Sequence, residues 1–158
     1  SMEQSRRALE IDPLSSNVRG RYVEQLANVG EYEDALKANR RLFNNDGPIE
    51  ALLAVGRTAD ARPLIENALR MSSGPRVLAN YARLLAMEGR FVEAERLMPA
   101  IEQGQLDRSY HHAAVSVAGV FALQGKSDEA LKWLRICAKR GLPNYLLFAR
   151  DPSLDRLR

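Results

Sequence analysis

Three polar residues spaced four and three positions apart could form a binding surface. Arg76, Asn80 and Arg83 would share one face of a helix. An Asn amide can hydrogen-bond the main chain of a bound peptide, and an Arg guanidinium can bind a carboxylate by two parallel hydrogen bonds. The pattern therefore predicts a surface that holds an extended peptide. Comparable positions in two other segments complete this predicted surface, which we call the polar stripe, with Arg21, Asn28 and His112.

Residue types that perform catalysis or bind metals are few and poorly placed. His111 and His112 are adjacent, so on a helix they would point about 100° apart, which is a poor arrangement for sharing a metal ion. Cys137 falls in the apolar phase of a helical pattern, with no base near it in sequence, which predicts a buried, unreactive thiol. The sequence contains no glycine-rich phosphate loop, and no carboxylate pair or Ser/His/Asp order stands out. We therefore expect a non-enzymatic protein without a metal or cofactor.

Four glycine-centred segments repeat along the chain and indicate the elements that position the polar stripe. In each segment three variable residues follow the Gly, and an acidic residue then directly precedes an Ala. Gly can take the left-handed backbone that ends a helix, the acidic residue favours the start of the next helix, and the small Ala lets two helices cross closely. The pattern predicts four helix–turn–helix units and an all-α fold. The segments are 30–35, 56–61, 89–94 and 125–130.

The spacing of Gly30, Tyr32 and Ala35, together with Ala8 and Pro13, resembles the tetratricopeptide-repeat family. The resemblance implies a right-handed α-solenoid, a superhelix of antiparallel helical hairpins, in which the first helix of each hairpin lines a concave face. It also implies a scaffold that binds a protein or peptide on that face, where the polar stripe would lie.

The repeats divide the chain into unequal units within a single domain, 1–158. The strong turn signal Asn44–Pro48 leaves only about two helical turns before Gly56, so the second unit is predicted to be shortened. We expect this break to change the curvature of the stack. The predicted units are a partial leading helix 3–13, repeat 1 at 16–44, shortened repeat 2 at 48–71, repeat 3 at 75–103, repeat 4 at 107–140 and a C-terminal cap 141–158.

The C-terminal cap does not follow the repeat pattern. Asp151 is predicted to cap a short helix that begins at Pro152. This ending resembles the tail that closes tetratricopeptide regions of bacterial multidomain regulators. That resemblance, together with Ser1-Met2, which looks like the remnant of a cleaved tag, predicts a bacterial fragment of a longer protein. Five apolar residues are expected to cover the exposed end of the stack: Tyr145, Leu146, Phe148, Leu154 and Leu157.

Charge and composition leave two alternatives to peptide binding. The chain has 23 basic and 20 acidic residues, a net charge of +3, and its Arg residues are mostly interleaved with Asp and Glu. This mixing disfavours nucleic-acid contact, which needs clustered basic residues, although the Arg-rich surface keeps it as an alternative. The second alternative is structural self-association, which would give a homo-oligomer. The apolar stretches fall short of the roughly 20 residues of a membrane span, and the N-terminus lacks a hydrophobic signal region. These features favour a cytoplasmic location and leave a periplasmic one open.

Overall fold

The computed structural model describes residues 2–43, 48–108, 110–140 and 145–158, and these residues form helices and turns without a β-strand. The all-α prediction is confirmed. The α-helices are α1 (Met2–Ile11), α2 (Ser16–Asn28), α3 (Tyr32–Phe43), α4 (Ile49–Ala54), α5 (Thr58–Met71), α6 (Pro75–Met87), α7 (Phe91–Glu95), α8 (Met98–Gln103), α9 (Tyr110–Leu123), α10 (Ser127–Lys139) and α11 (Tyr145–Arg150), followed by a 3₁₀ helix at Pro152–Leu157.

The four repeated glycines end helices in the same way. Each has a positive φ of 77–78°. The residue after each Gly donates its main-chain N–H to the carbonyl five positions earlier, as in Glu31 to Leu26 at 2.9 Å and Arg90 to Leu85 at 2.9 Å. This is the Schellman arrangement, which satisfies carbonyls left open at a helix end. The Ala five positions beyond each Gly is fully buried, so the predicted helix–turn–helix units are present, with Ala35, Ala61, Ala94 and Ala130 at the helix crossings.

Two helices depart from regular hairpins. Helix α4 has six residues, whereas its partner α5 has fourteen. The helix that follows α6 is divided into α7 and α8. Pro99 lies at the start of α8, and because proline has no N–H it cannot continue the hydrogen-bond ladder of a preceding helix.

Helix α9 forms the centre of the core. It is buried on nearly all sides because α6 and α10 pack against it and the 3₁₀ helix covers a further side. On α10, the Trp133 ring lies 6.1 Å from that of Tyr110. Cys137 on the same helix is fully buried, and burial raises the pKa of its thiol to about 12. The predicted burial of this thiol is confirmed.

Candidate functional site

A cavity of about 510 Å³ opens between α2, α6, α9 and residues 145–158, which we call the C-terminal segment. Val23, Ala27 and Leu147 provide apolar wall, and polar side chains stand among them. Binding cavities for peptides and small molecules commonly combine an apolar lining with a few oriented polar groups. Its lining consists of Gly20, Val23, Glu24, Ala27, Asn28, Tyr32, Asn39, Pro48, Glu50, Arg76, Arg83, His112, Val115, Ser116, Leu147 and Asp151.

The fold brings four members of the polar stripe to this cavity. Arg76, Arg83, Asn28 and His112 line it, although they come from three different helices. Asn80 is buried behind them, where its amide donates to Glu50 at 2.9 Å and accepts from the Ser116 hydroxyl at 3.0 Å. Arg21 is exposed on α2 and is not part of the cavity lining.

Arg76 is held by a carboxylate that the sequence did not reveal. Its Nε donates to the Glu50 carboxylate at 2.7 Å, at the start of α4. Burial of Glu50 would raise its pKa, but attraction and hydrogen bonds from Arg76 and Asn80 outweigh burial and lower that pKa to about 2. Glu50 is therefore ionised at neutral pH. Its signal in sequence was weak, because an acidic residue in a first helical turn is usually a helix-dipole feature.

Arg83 is held by the C-terminal segment. Its two terminal nitrogens donate to the Asp151 carboxylate at 3.0 and 2.7 Å. The same carboxylate accepts from the Ser153 main-chain N–H at 2.9 Å and from its hydroxyl at 2.7 Å. Asp151 thus caps the 3₁₀ helix, as predicted, and also closes a buried ion pair in which both side chains are at most 3% exposed.

The C-terminal segment packs on the side of the array formed by α2, α6 and α9. Its 3₁₀ helix packs on α9, and α11 reaches α2, where Arg150 donates to the Val29 carbonyl at 3.1 Å and pairs with Glu31. The contact with α9 is close: a Cβ atom added to Gly119 would lie 2.5 Å from the Ser153 Oγ.

The C-terminal segment differs in part from the predicted cap. Tyr145 and Leu146 are 78% and 42% exposed, so the expectation that they cover the end of the stack is wrong. Leu154 is buried and Phe148 and Leu157 are partly buried, as expected for residues that cover apolar surface. Leu147, which was not among the predicted residues, is buried instead, because the segment turns its third apolar residue towards α2.

His112 contributes a neutral imidazole to the cavity. Burial, followed by repulsion from Arg76, lowers its pKa to about 4. The ring of His111 lies 4.2 Å away, centroid to centroid. Among the described residues, no group of three His, Cys, Asp or Glu side chains is arranged to hold a metal ion. A helix long and apolar enough to cross a membrane is likewise absent from the part of the chain that the structure describes.

Comparison with known families finds a match to the tetratricopeptide repeat over residues 52–118. The matched stretch runs from within α4 to within α9 and so includes α6, which carries Arg76 and Arg83. Neither the curated proteins nor the solved structures compared with the chain include a significant match. Gly56 and Gly89, with the buried Ala61 and Ala94 that follow them, lie within the matched stretch, and residues 52–118 are similar to the tetratricopeptide repeat.

Proposed function

We propose that this protein is a non-catalytic scaffold that binds a segment of a partner protein in the concave cavity. The family match supports a protein–protein interaction scaffold in general terms. The observation that carries the more specific proposal is the cavity itself, where four residues of the polar stripe meet an apolar wall. The predicted division into four repeats, with a shortened second one, belongs to the same proposal.

The dimensions of the cavity suit a short stretch of polypeptide. A volume of about 510 Å³ lies within the range of about 300 to 1,000 Å³ typical of ligand pockets. Apolar side chains of the partner would bury against Val23, Ala27 and Leu147. His112, on α9, can hydrogen-bond a bound main chain through its imidazole.

Self-association is a second candidate, and exposed apolar residues favour it. Ile11 at the end of α1 and Leu14 in the following turn are 78% and 83% exposed, and Met71 at the end of α5 is 82% exposed. Such residues contribute to interfaces when they form contiguous patches. Light scattering over a concentration series separates the candidates, because a groove binder keeps the monomer mass whereas self-association raises the mass with concentration.

The proposed site can be tested by filling the cavity. A random peptide library displayed on phage is selected against the immobilised full chain, and a recovered peptide is titrated by fluorescence anisotropy. Gly20 lines the cavity, and a Cβ atom added there meets nothing within 4 Å, so Gly20→Trp can project a large ring into the cavity. We expect Gly20→Trp to abolish binding and Gly20→Ala to preserve it. Equal binding by both variants, with circular dichroism unchanged, would exclude this cavity.

A further inference from the structure

The charges that line the cavity are unequal. Three carboxylates, from Glu24, Glu50 and Asp151, face two guanidinium groups, from Arg76 and Arg83. His112 adds no charge at neutral pH. The lining therefore carries one negative charge in excess, although the protein as a whole has a net charge of +3.

Both positive charges already have a partner. Arg83 uses both terminal nitrogens on Asp151, and Arg76 binds Glu50 through its Nε. A carboxylate that bound Arg83 would have to displace Asp151, which is 1% exposed and would be left as a buried, unpaired charge. Arg83 is therefore not a free receptor for an acidic ligand, and the charge of Arg76 is balanced by Glu50.

Glu24 supplies the uncompensated charge. It is exposed at the cavity rim on α2, one helical turn before Asn28. Within the described residues no Lys, Arg or His nitrogen lies within the 4.0 Å of an ion pair with its carboxylate. Arg76 feels its field but is hydrogen-bonded to Glu50. A cation at the rim would therefore meet a carboxylate without first breaking an existing pair.

We propose that the cavity recognises a lysine or arginine side chain of the partner segment. The alkyl stem of that side chain would pack against Val23 and Ala27, which lie on α2 beside Glu24, and its cationic end would pair with the Glu24 carboxylate. This inference rests on the proposed function, and it replaces the carboxylate-binding interpretation of the arginines by recognition of a basic partner.

The test compares peptide preferences between two variants that each remove one surface carboxylate. Glu24→Gln removes the rim charge, whereas Glu129→Gln removes an exposed carboxylate on α10, away from the cavity. Phage selection on the wild-type chain should enrich Lys and Arg at one peptide position, and selection on Glu24→Gln should lose that enrichment. The Glu129→Gln chain should select like the wild type.

A recovered peptide and its Lys→Met counterpart are then titrated against the wild-type and Glu24→Gln chains, which gives a double-mutant cycle. We expect about fivefold weaker binding for either the Met peptide or the Glu24→Gln chain, and no further loss when both changes are combined. Enrichment of Asp or Glu, or additive losses in the cycle, would overturn the basic-partner inference while leaving peptide binding intact. If no selected peptide loses its binding when Gly20 is replaced in Gly20→Trp, the proposed function itself is overturned.

Discussion

Arg83 and Asp151 lie 68 positions apart in sequence and form a buried ion pair with two hydrogen bonds, of 3.0 and 2.7 Å. The pair joins α6 to the C-terminal segment and holds that segment against the repeat helices. The cavity is therefore bounded partly by the repeat helices and partly by the chain's own end, with Leu147 and Asp151 in its lining.

Removing the charge of Asp151 should destabilise the whole array. Asp151→Asn leaves the Arg83 guanidinium buried without a counter-ion, and the loss of one partner of a buried pair costs about 3 to 5 kcal/mol. We expect that decrease in the free energy of unfolding, measured by urea denaturation. Asp155→Asn is the matched control, since Asp155 is exposed in the same 3₁₀ helix and should change stability by about 0.5 kcal/mol or less. Equal effects of the two variants would show that the buried pair does not anchor the segment.

A methyl group at Gly119 should loosen the C-terminal segment. The added Cβ would approach the Ser153 Oγ to 2.5 Å, and overpacking of this kind costs about 1 to 3 kcal/mol. Gly119→Ala should therefore lower stability, and the double variant Gly119→Ala/Ser153→Ala should recover part of the loss, because the hydroxyl oxygen is gone.

Gly20→Ala is the control for that helix glycine. Gly20 also lies within a helix but has open space around an added Cβ, so its substitution should stabilise the protein by about 0.5 to 1 kcal/mol. A loss of stability in Gly20→Ala similar to that in Gly119→Ala would refute the steric explanation.

Acid should weaken the fold through His112. Its pKa is about 4 in the folded protein and 6.5 in the unfolded chain. The unfolded state therefore binds a proton first as the pH falls, and the free energy of unfolding should decrease between about pH 6.5 and 4. Chemical denaturation across this range should show a shallower decrease for His112→Gln. An unchanged slope in His112→Gln would refute the role of this imidazole.

Glu50 should affect the free energy of unfolding at a lower pH than His112 does. Its pKa falls from 4.5 in the unfolded chain to about 2 in the folded protein, so its contribution is complete above about pH 4.5 and is lost as the pH falls towards 2. In Arg76→Met the carboxylate loses its cation. We expect the pKa of Glu50 in that variant to rise by at least about one unit, measured by NMR titration of the Glu50 side-chain carboxyl. A pKa that stays near 2 in Arg76→Met would show that Arg76 does not hold this group.

The sequence predicted local features well because they depend on neighbouring residues. Gly30 marks a turn because glycine can take a positive φ, and Ala35 marks a helix crossing because its side chain is small. Asp151 caps a helix because its carboxylate accepts from the main-chain N–H two positions later. The spacing of Arg76 and Arg83 likewise placed both on one face of α6, which the structure brings to the cavity.

The partners of those arginines could not be predicted in the same way. Pairing of Arg83 with Asp151 depends on where a segment 68 positions away crosses the array, and Glu50 reaches Arg76 because the short α4 places its first turn beside α6. Periodicity within one helix contains no information about either distance. The sequence therefore identified residues of the cavity but not whether their charges were free.

Binding of a partner segment in the proposed concave cavity is tested most directly by chemical-shift mapping. A phage-selected peptide is titrated into ¹⁵N-labelled full chain, and amide shifts are followed by heteronuclear correlation NMR. We predict that the largest changes fall on cavity residues of α2, α6 and α9, such as Asn28, Arg76 and His112, and on Leu147. Changes concentrated on the outward residues of α5 and α10, with these four amides unmoved, would contradict the account.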